Sequence, residues 1–135
     1  MTVLAIHNCH GPVKKKKTSK DRKKVEVEEI VIFITAPSVE EAQKIAHHLV
    51  AEHLVACVNI VSSVQSIFYW QEKVCDEKEV LLICKSHGTL FEKISQRVKE
   101  LHTYTVPEII ALPIIKGSAD YLRWLKEVTL KISVQ

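Results

Sequence analysis

Strand-like and helix-like patterns of apolar residues alternate along the chain. Residues 30–35 (IVIFIT) form an uninterrupted β-branched run, which predicts a buried strand. Pro37 ends this run, and Ser38 with Glu41 then forms a capping box before apolar residues that recur at helical spacing. A first helix is therefore predicted over residues 38–52.

The middle of the chain predicts a β-hairpin. Residues 55–62 are expected to form its first strand, and residues 64–70 continue as an extended segment after a bend. The polar residues 71–78 are expected to hold the turn. Residues 79–85 then form the returning strand.

The last third of the chain predicts a helix, a strand and a shorter helix. Thr89 and Glu92 form a second capping box, and the helix that follows ends near residue 101. Residues 108–114 predict the last strand, and the third helix starts at Gly117 and Ser118. The order β-α-β-β-α-β-α is that of a ferredoxin-like α+β sandwich with an extra C-terminal helix.

The predicted strands are apolar on both faces. Residues 31–34, 80–84 and 109–112 do not alternate between apolar and polar side chains. If three helices cover one face of the sheet, the other face exposes a larger apolar patch than soluble monomers usually tolerate. This pattern predicts a homo-oligomer. The alternative is that the C-terminal helix or the hairpin covers the second face.

The charged residues are unevenly distributed. Residues 1–24 carry eight lysine and arginine residues against one aspartate, a net charge of +7, whereas the rest of the chain carries a net charge of −4. We expect residues 1–28 to form a disordered basic tail and residues 29–135 to form one domain. A solvated tail is favoured over the alternative of a nuclear-import or nucleic-acid-binding arm.

The four cysteines are consistent with a reducing compartment. They form no CxxC pair, and no Cys/His pair has zinc-finger spacing. We expect a cytoplasmic protein, with nuclear import through the lysine run as the alternative. Neither a secretory signal nor a membrane span is predicted.

Several function classes lack their sequence signatures. With three glycines in the chain, neither a P-loop nor a GxGxxG turn is present, and no nucleophile elbow is found. An RNA-binding sheet of this topology would need exposed aromatic residues on its central strands. The strand at residues 79–85 has none, so nucleic-acid binding is not expected.

Polar side chains collect at the ends of the predicted strands. His102, Tyr104 and Glu108 precede the last strand, and Cys57 lies two residues before Asn59 on the second. Thiol, imidazole and carboxylate groups together suit copper or a similar borderline cation. A hydrogen-bonded structural role for His102 and a core position for Cys57 are the simpler alternatives.

The chain resembles the CutA family of divalent-cation-tolerance proteins through six motifs in family order and spacing. They are TAP at residues 35–37, ACVNI at 56–60, SIFYWxxK at 66–73, EVLLI at 79–83, HxYxVPEI at 102–109 and YLxW at 121–124. The resemblance covers essentially the whole predicted domain.

The resemblance implies a ferredoxin-like protomer in a homotrimer, similar in architecture to the PII signalling proteins. It implies binding of copper or another divalent cation, a response to metal ions, and no enzymatic activity or required cofactor. Cys57, His102 and Glu108 match the positions assigned to the cation site. Asn59, Trp70, Lys73, Tyr104 and Trp124 match cleft or interface positions. In animals, the family also suggests a protein partner, through a proposed link to anchoring of acetylcholinesterase.

Three residues depart from the family pattern. Thr103 and Thr105 stand where the family usually has proline and glutamate, and Glu72 stands where it usually has glycine. Thr105 removes a charge near the implied cation site. A divergent animal CutA-like paralogue would account for these changes. A trimeric PII-like scaffold that binds a protein or small anion, with metal incidental, is therefore the alternative function, and an enzyme is the least favoured one.

Overall fold

A computed structural model describes residues 28–130. Its elements follow the predicted order, β1 (Glu29–Ala36), α1 (Val39–Ala51), β2 (Cys57–Trp70), β3 (Lys73–His87), α2 (Phe91–Leu101), β4 (Ile109–Pro113) and α3 (Ala119–Leu130), with a short 3-10 helix at Gly88–Leu90 before α2. The strands form one antiparallel sheet in the order β2-β3-β1-β4. The ferredoxin-like α+β prediction is confirmed. The predicted tail, except Glu28, lies outside the described residues.

The main core lies between one face of the sheet and the helices α1 and α2. Every second residue of β1 points into it, and Ile32 and Ile34 are fully buried. They pack in one cluster with Leu49 of α1 and Val98 of α2. The predicted cap of α1 is confirmed, because the Glu41 N–H donates to the Ser38 hydroxyl at 3.2 Å.

The third helix lies on the opposite face of the sheet. Glu29 and Cys57 belong to that second face, since they alternate with the core residues of their strands. Lys126 of α3 pairs with Glu29 at 3.3 Å, and Tyr121 of α3 lies 4.0 Å from the Cys57 sulfur. The expectation that all three helices cover one face is therefore wrong, and the alternative cover is realised in part.

Part of the second face remains exposed beyond α3. Phe33 and Ile83 occupy neighbouring positions at its centre and are half-buried. Towards the edges, Ile110 and Leu112 are each 51% exposed and Val61 is 41% exposed. One chain with a single additional helix thus leaves an apolar surface on this face.

Two local predictions are wrong. The hairpin turn is confined to Gln71 and Glu72, whose φ angles of 48° and 65° suit a two-residue turn, and residues 73–78 belong to β3. Polar cross-strand contacts support this extension, as between Gln65 and Asp76 at 2.9 Å. The predicted bend is present as a register shift between Val61 and Val64.

The second capping box does not form. Thr89 lies in the 3-10 helix, and α2 begins at Phe91 without a side-chain cap. His87 takes the capping role instead, because its Nδ1 accepts from the Thr89 N–H at 3.3 Å.

Candidate functional site

The hairpin of β2 and β3 extends past the rest of the sheet. β3 pairs with β1 only from Val80 onward, and before that residue it pairs with β2 alone. We call this two-stranded extension, residues 64–79, the arm. Trp70 opposite Lys73 and Phe68 opposite Cys75 place alternate side chains on one face of the arm.

A groove of about 790 Å³ lies between the arm and the segment that precedes β4. We call it the arm groove. Its aromatic lining comes from Phe68, Trp70 and Tyr104. Its charged lining comes from Lys73 and the three carboxylates Glu77, Glu79 and Glu108. The groove therefore combines aromatic surface with an excess of negative charge.

Tyr104 connects the arm to the domain. Its hydroxyl donates to Glu79 Oε2 at 3.2 Å, and its ring centroid lies 4.8 Å from that of His102. Burial, together with the nearby Glu79 carboxylate, raises the pKa of Tyr104 to about 12. The phenol therefore stays protonated near neutral pH and acts as a hydrogen-bond donor.

His102 is held by both of its ring nitrogens. Nε2 lies 2.7 Å from the carbonyl oxygen of Thr35, and Nδ1 accepts from the Tyr104 N–H at 3.0 Å. The neutral ring with its proton on Nε2 satisfies both contacts. Glu41 Oε2 lies 3.6 Å from Nδ1. His102 thus has a structural role in this chain, behind the wall of the arm groove.

Cys57 lies elsewhere on the second face. Its sulfur is 3.8 Å from Asn59 Oδ1, and Lys85, its cross-strand neighbour, donates to the same oxygen. The row of the sheet that contains Cys57 crosses β1 at Val31, four residues before Thr35, which corresponds to about 13 Å along the strand. Cys57 and His102 are therefore separated by the length of β1.

The predicted site residues form two groups in one chain. Asn59 neighbours Cys57, and Trp124 belongs to the same region through Tyr121, with ring centroids 5.5 Å apart. The second group is the arm groove, where Trp70, Lys73, Tyr104 and Glu108 meet.

Cys57, His102 and Glu108 do not form one ligand set in a single chain. Over residues 28–130, no three His, Cys, Asp or Glu side chains are grouped so that they could hold a metal ion. His102 also has no free ring nitrogen, because both are hydrogen-bonded. A cation centre that uses these residues would need more than one chain, as the resemblance implies.

Glu77, Glu79 and Phe68 line the groove but were not predicted as site residues. Residues 77 and 79 fell in or beside the segment assigned to the turn. Had that segment been taken as a strand, the alternation of Lys73, Cys75, Glu77 and Glu79 would have placed them on one face.

No helix within residues 28–130 has the length and apolar character to span a membrane. The model of the family described as "CutA1 divalent ion tolerance protein" matches residues 30–128.

Relatives match the same part of the chain. The divalent-cation tolerance protein CutA of Thermus thermophilus is 52% identical over 101 residues, which are 75% of this chain and 98% of that protein. The chloroplastic CutA of Arabidopsis thaliana is 46% identical over 103 residues, which are 76% of this chain and 57% of that protein. The chain thus spans little more than half the length of the plant relative.

Solved structures agree with this assignment. The Thermus thermophilus protein superimposes with a TM-score of 0.74, over 75% of this chain and 98% of that one. CutA1 from the psychrotrophic bacterium Shewanella sp. SIB1, 40% identical, superimposes with a TM-score of 0.75 over 77% and 97%. Since the family model, the sequence relatives and the folds all agree, the chain belongs to the CutA1 divalent ion tolerance family.

Proposed function

We propose that this protein is a homotrimer that binds divalent cations, copper among them, between its chains and takes part in the response to metal ions. The observation that carries the proposal is the apolar second face of the sheet. Ile110 and Leu112 remain half exposed there although α3 covers the other end of the same face. An exposed apolar surface on a rigid sheet favours burial against another copy of the chain.

The chemistry of Cys57 and Glu108 supports cation binding. The Cys57 thiol is half-buried and has only long contacts, at 3.8 and 4.0 Å. Glu108 is exposed beside the arm groove. Thiolate, imidazole and carboxylate are ligands that copper accepts. His102 would have to give up one of its two hydrogen bonds to join them.

Light scattering and copper titration test this proposal. We expect a particle of about three times the chain mass of 15.4 kDa. Cys57→Ala should weaken copper binding by about ten-fold or more. Cys75→Ala, which removes another half-buried thiol, is the matched control and should leave the affinity unchanged. Equal affinity in wild type and Cys57→Ala would remove Cys57 from the site.

A PII-like scaffold that binds a protein or a small ligand is the second candidate. The arm groove favours it, because aromatic and charged side chains converge there around about 790 Å³. In that case copper should bind only weakly, and a variant without residues 1–24, which include His7 and His10, should lose the binding. Both candidates are binding proteins, and no catalytic activity is proposed.

A further inference from the structure

The arm groove carries negative charge that has no ion-pair partner in the described part of the chain. Glu79 is only 7% exposed, and its one hydrogen bond comes from the neutral Tyr104 hydroxyl. Within residues 28–130, neither Glu79 nor its neighbours Glu77 and Glu108 lie within ion-pair distance of a lysine, arginine or histidine. A carboxylate withdrawn from water is stabilised by a nearby cation.

The aromatic side chains of the groove also suit a cation. Phe68 is 40% exposed and Trp70 is 43% exposed, although both are large apolar residues. An ammonium group over such a ring gains cation–π attraction, and the lysine stem packs on the apolar surface beside it. A ligand with several ammonium groups on aliphatic stems therefore fits the groove better than an anion does.

The chain itself supplies such a group in its N-terminal segment. Residues 14–20 have the sequence KKKKTSK, which carries five positive charges and no acid. This segment lies outside the described residues, and it enters the domain at Glu28 and Glu29. The Thermus thermophilus relative matches over 98% of its own length with 101 residues, so that protein has no comparable leader.

The length of the connection allows the segment to reach the groove. The groove borders Thr35, about 20 Å along β1 from Glu29. An extended chain covers about 3.3 Å per residue, so Lys20 can reach about 26 Å from Glu28 and Lys14 about 46 Å. Lys23 and Lys24 reach at most about 17 Å and fall short.

We propose that the lysine-rich segment of residues 14–20 docks in the arm groove, with its ammonium groups on Glu77, Glu79 and Glu108 and its stems against Phe68 and Trp70. This inference goes beyond the proposed function and does not depend on copper binding. A docked leader competes with any external ligand of the groove. It makes the groove accessible only when the leader is displaced, for example at high ionic strength.

Zero-length carbodiimide cross-linking of the full chain, followed by peptide mass spectrometry, tests the contact directly. At low salt we expect amide links from Lys14–Lys20 to Glu77, Glu79 or Glu108, and links from Lys23 and Lys24 only to acids near Glu28. The yield of the groove links should fall about five-fold or more at 0.5 M salt, because exposed charges are then screened. Links spread equally over the acids of the domain would overturn the proposal.

Matched charge variants make the cross-linking specific. The double variant Glu77→Gln and Glu108→Gln removes two groove carboxylates, and it should reduce links to the remaining Glu79 by about five-fold. The control pair Glu40→Gln and Glu92→Gln removes two exposed acids from α1 and α2 and should leave the groove links unchanged. Equal losses in both pairs would show that the leader responds only to net charge.

Trp70 fluorescence gives a second measurement. In a Trp124→Phe background Trp70 is the single tryptophan. Changing Lys14–Lys17 to glutamine should increase quenching of Trp70 by acrylamide about two-fold at low salt and have no effect at high salt. If Trp70 is equally accessible in both chains, the leader does not occupy the groove. Shielding that depends on protein concentration but not on the lysines would assign the groove to a second copy instead.

Discussion

His102 connects three parts of the molecule through one buried side chain. It binds the carbonyl oxygen at the end of β1, accepts the backbone N–H of Tyr104, and stacks at an angle of 46° against the Tyr104 ring. Tyr104 in turn holds Glu79 at the base of the arm. The orientation of the arm groove therefore depends on a histidine that does not line it.

Replacement of His102 by alanine should destabilise the fold. The change leaves the Thr35 carbonyl without its partner and opens a cavity, which together should cost about 2–4 kcal/mol in the free energy of unfolding. Urea denaturation at fixed protein concentration measures this loss. His47→Ala, on the exposed side of α1, is the control and should change stability by less than about 0.5 kcal/mol. A similar stability of the two variants would contradict the structural role of His102.

Glu72 is strained because it has a φ angle of 65° in the arm turn. A side chain in the left-handed region costs roughly 1–2 kcal/mol relative to glycine, so Glu72→Gly should stabilise the chain by about 1 kcal/mol. Lys78→Gly, in the regular part of β3, should instead destabilise by about 0.5–1 kcal/mol. Chemical denaturation compares the two variants. A loss of stability in both would mean that the turn is not strained.

The residue identities of the candidate site could be predicted, but their contacts could not. Polar residues before β4 and the pair of Cys57 and Asn59 stand out because they interrupt apolar segments. The partner of His102 is a backbone carbonyl 67 positions away, and no spacing in the sequence encodes that contact. The carboxylates of the arm were missed because six polar residues suggest a loop as readily as an exposed two-stranded ribbon.

At the scale of elements, α3 is attached to the second face of the sheet by a few specific contacts. Lys126 Nζ lies 2.7 Å from Glu28 and 3.3 Å from Glu29, and the His53 ring donates to the Val128 carbonyl at 3.0 Å. Leu125 is fully buried beneath the helix. An apolar stripe predicted this helix, but only these contacts with distant residues determine which face it covers.

The stability that Lys126 contributes should depend on pH at both extremes. Hydrogen bonding and charge attraction from Lys126 lower the pKa of Glu28 below 4.5, so this contribution is complete above pH 4.5 and is lost as the pH falls through the lowered value. The same contacts raise the pKa of Lys126 above 10.5, so the contribution is complete below pH 10.5 and is lost as the pH rises through the raised value.

Thermal unfolding of wild type and Lys126→Met across pH should show this window. The difference in Tm should be constant between pH 4.5 and 10.5 and should narrow outside that range. It should also shrink in high salt, because these charges are exposed. Lys99→Met, on α2, is the control and should show no such window. A difference in Tm that is independent of pH would contradict the ion pair.

Gly117 controls how α3 begins. A Cβ atom at this position would lie 3.0 Å from Leu122 Cγ and Cδ2, which is closer than side chains normally approach. Gly117→Ala should therefore destabilise the chain by about 1–3 kcal/mol through overpacking. In a Leu122→Ala background the penalty should largely disappear, and a double-mutant cycle in urea measures this coupling. An equal penalty in both backgrounds would exclude this contact as the cause.

At the scale of the whole molecule, the sheet has three kinds of surface. One face packs on α1 and α2, part of the other packs on α3, and the remainder is apolar and exposed. The order of elements could be predicted from hydrophobic periodicity, because the strands and helices are short and clearly bounded. The cover of the second face could not, since the same apolar strands suit an additional helix or another chain.

The exposed part of the second face should be the surface on which copies of the chain associate. Ile110→Lys places a charge at its centre, where burial against another chain would leave the ammonium group without water or a partner. We expect this variant to have a lower mass than the wild type by light scattering at micromolar concentration. Its circular dichroism should still show a folded chain, because Ile110 lies outside the main core.

Val50→Lys provides the matched control, since Val50 is 39% exposed on α1 at the opposite side of the sheet. It adds the same charge and removes an apolar side chain of similar size, and it should leave the mass unchanged. If Ile110→Lys retains the wild-type mass, the second face is not the interface. The trimer would then have to form through the arm, where Ile67 is 67% exposed and Val74 is 72% exposed, and Ile67→Lys should dissociate it instead.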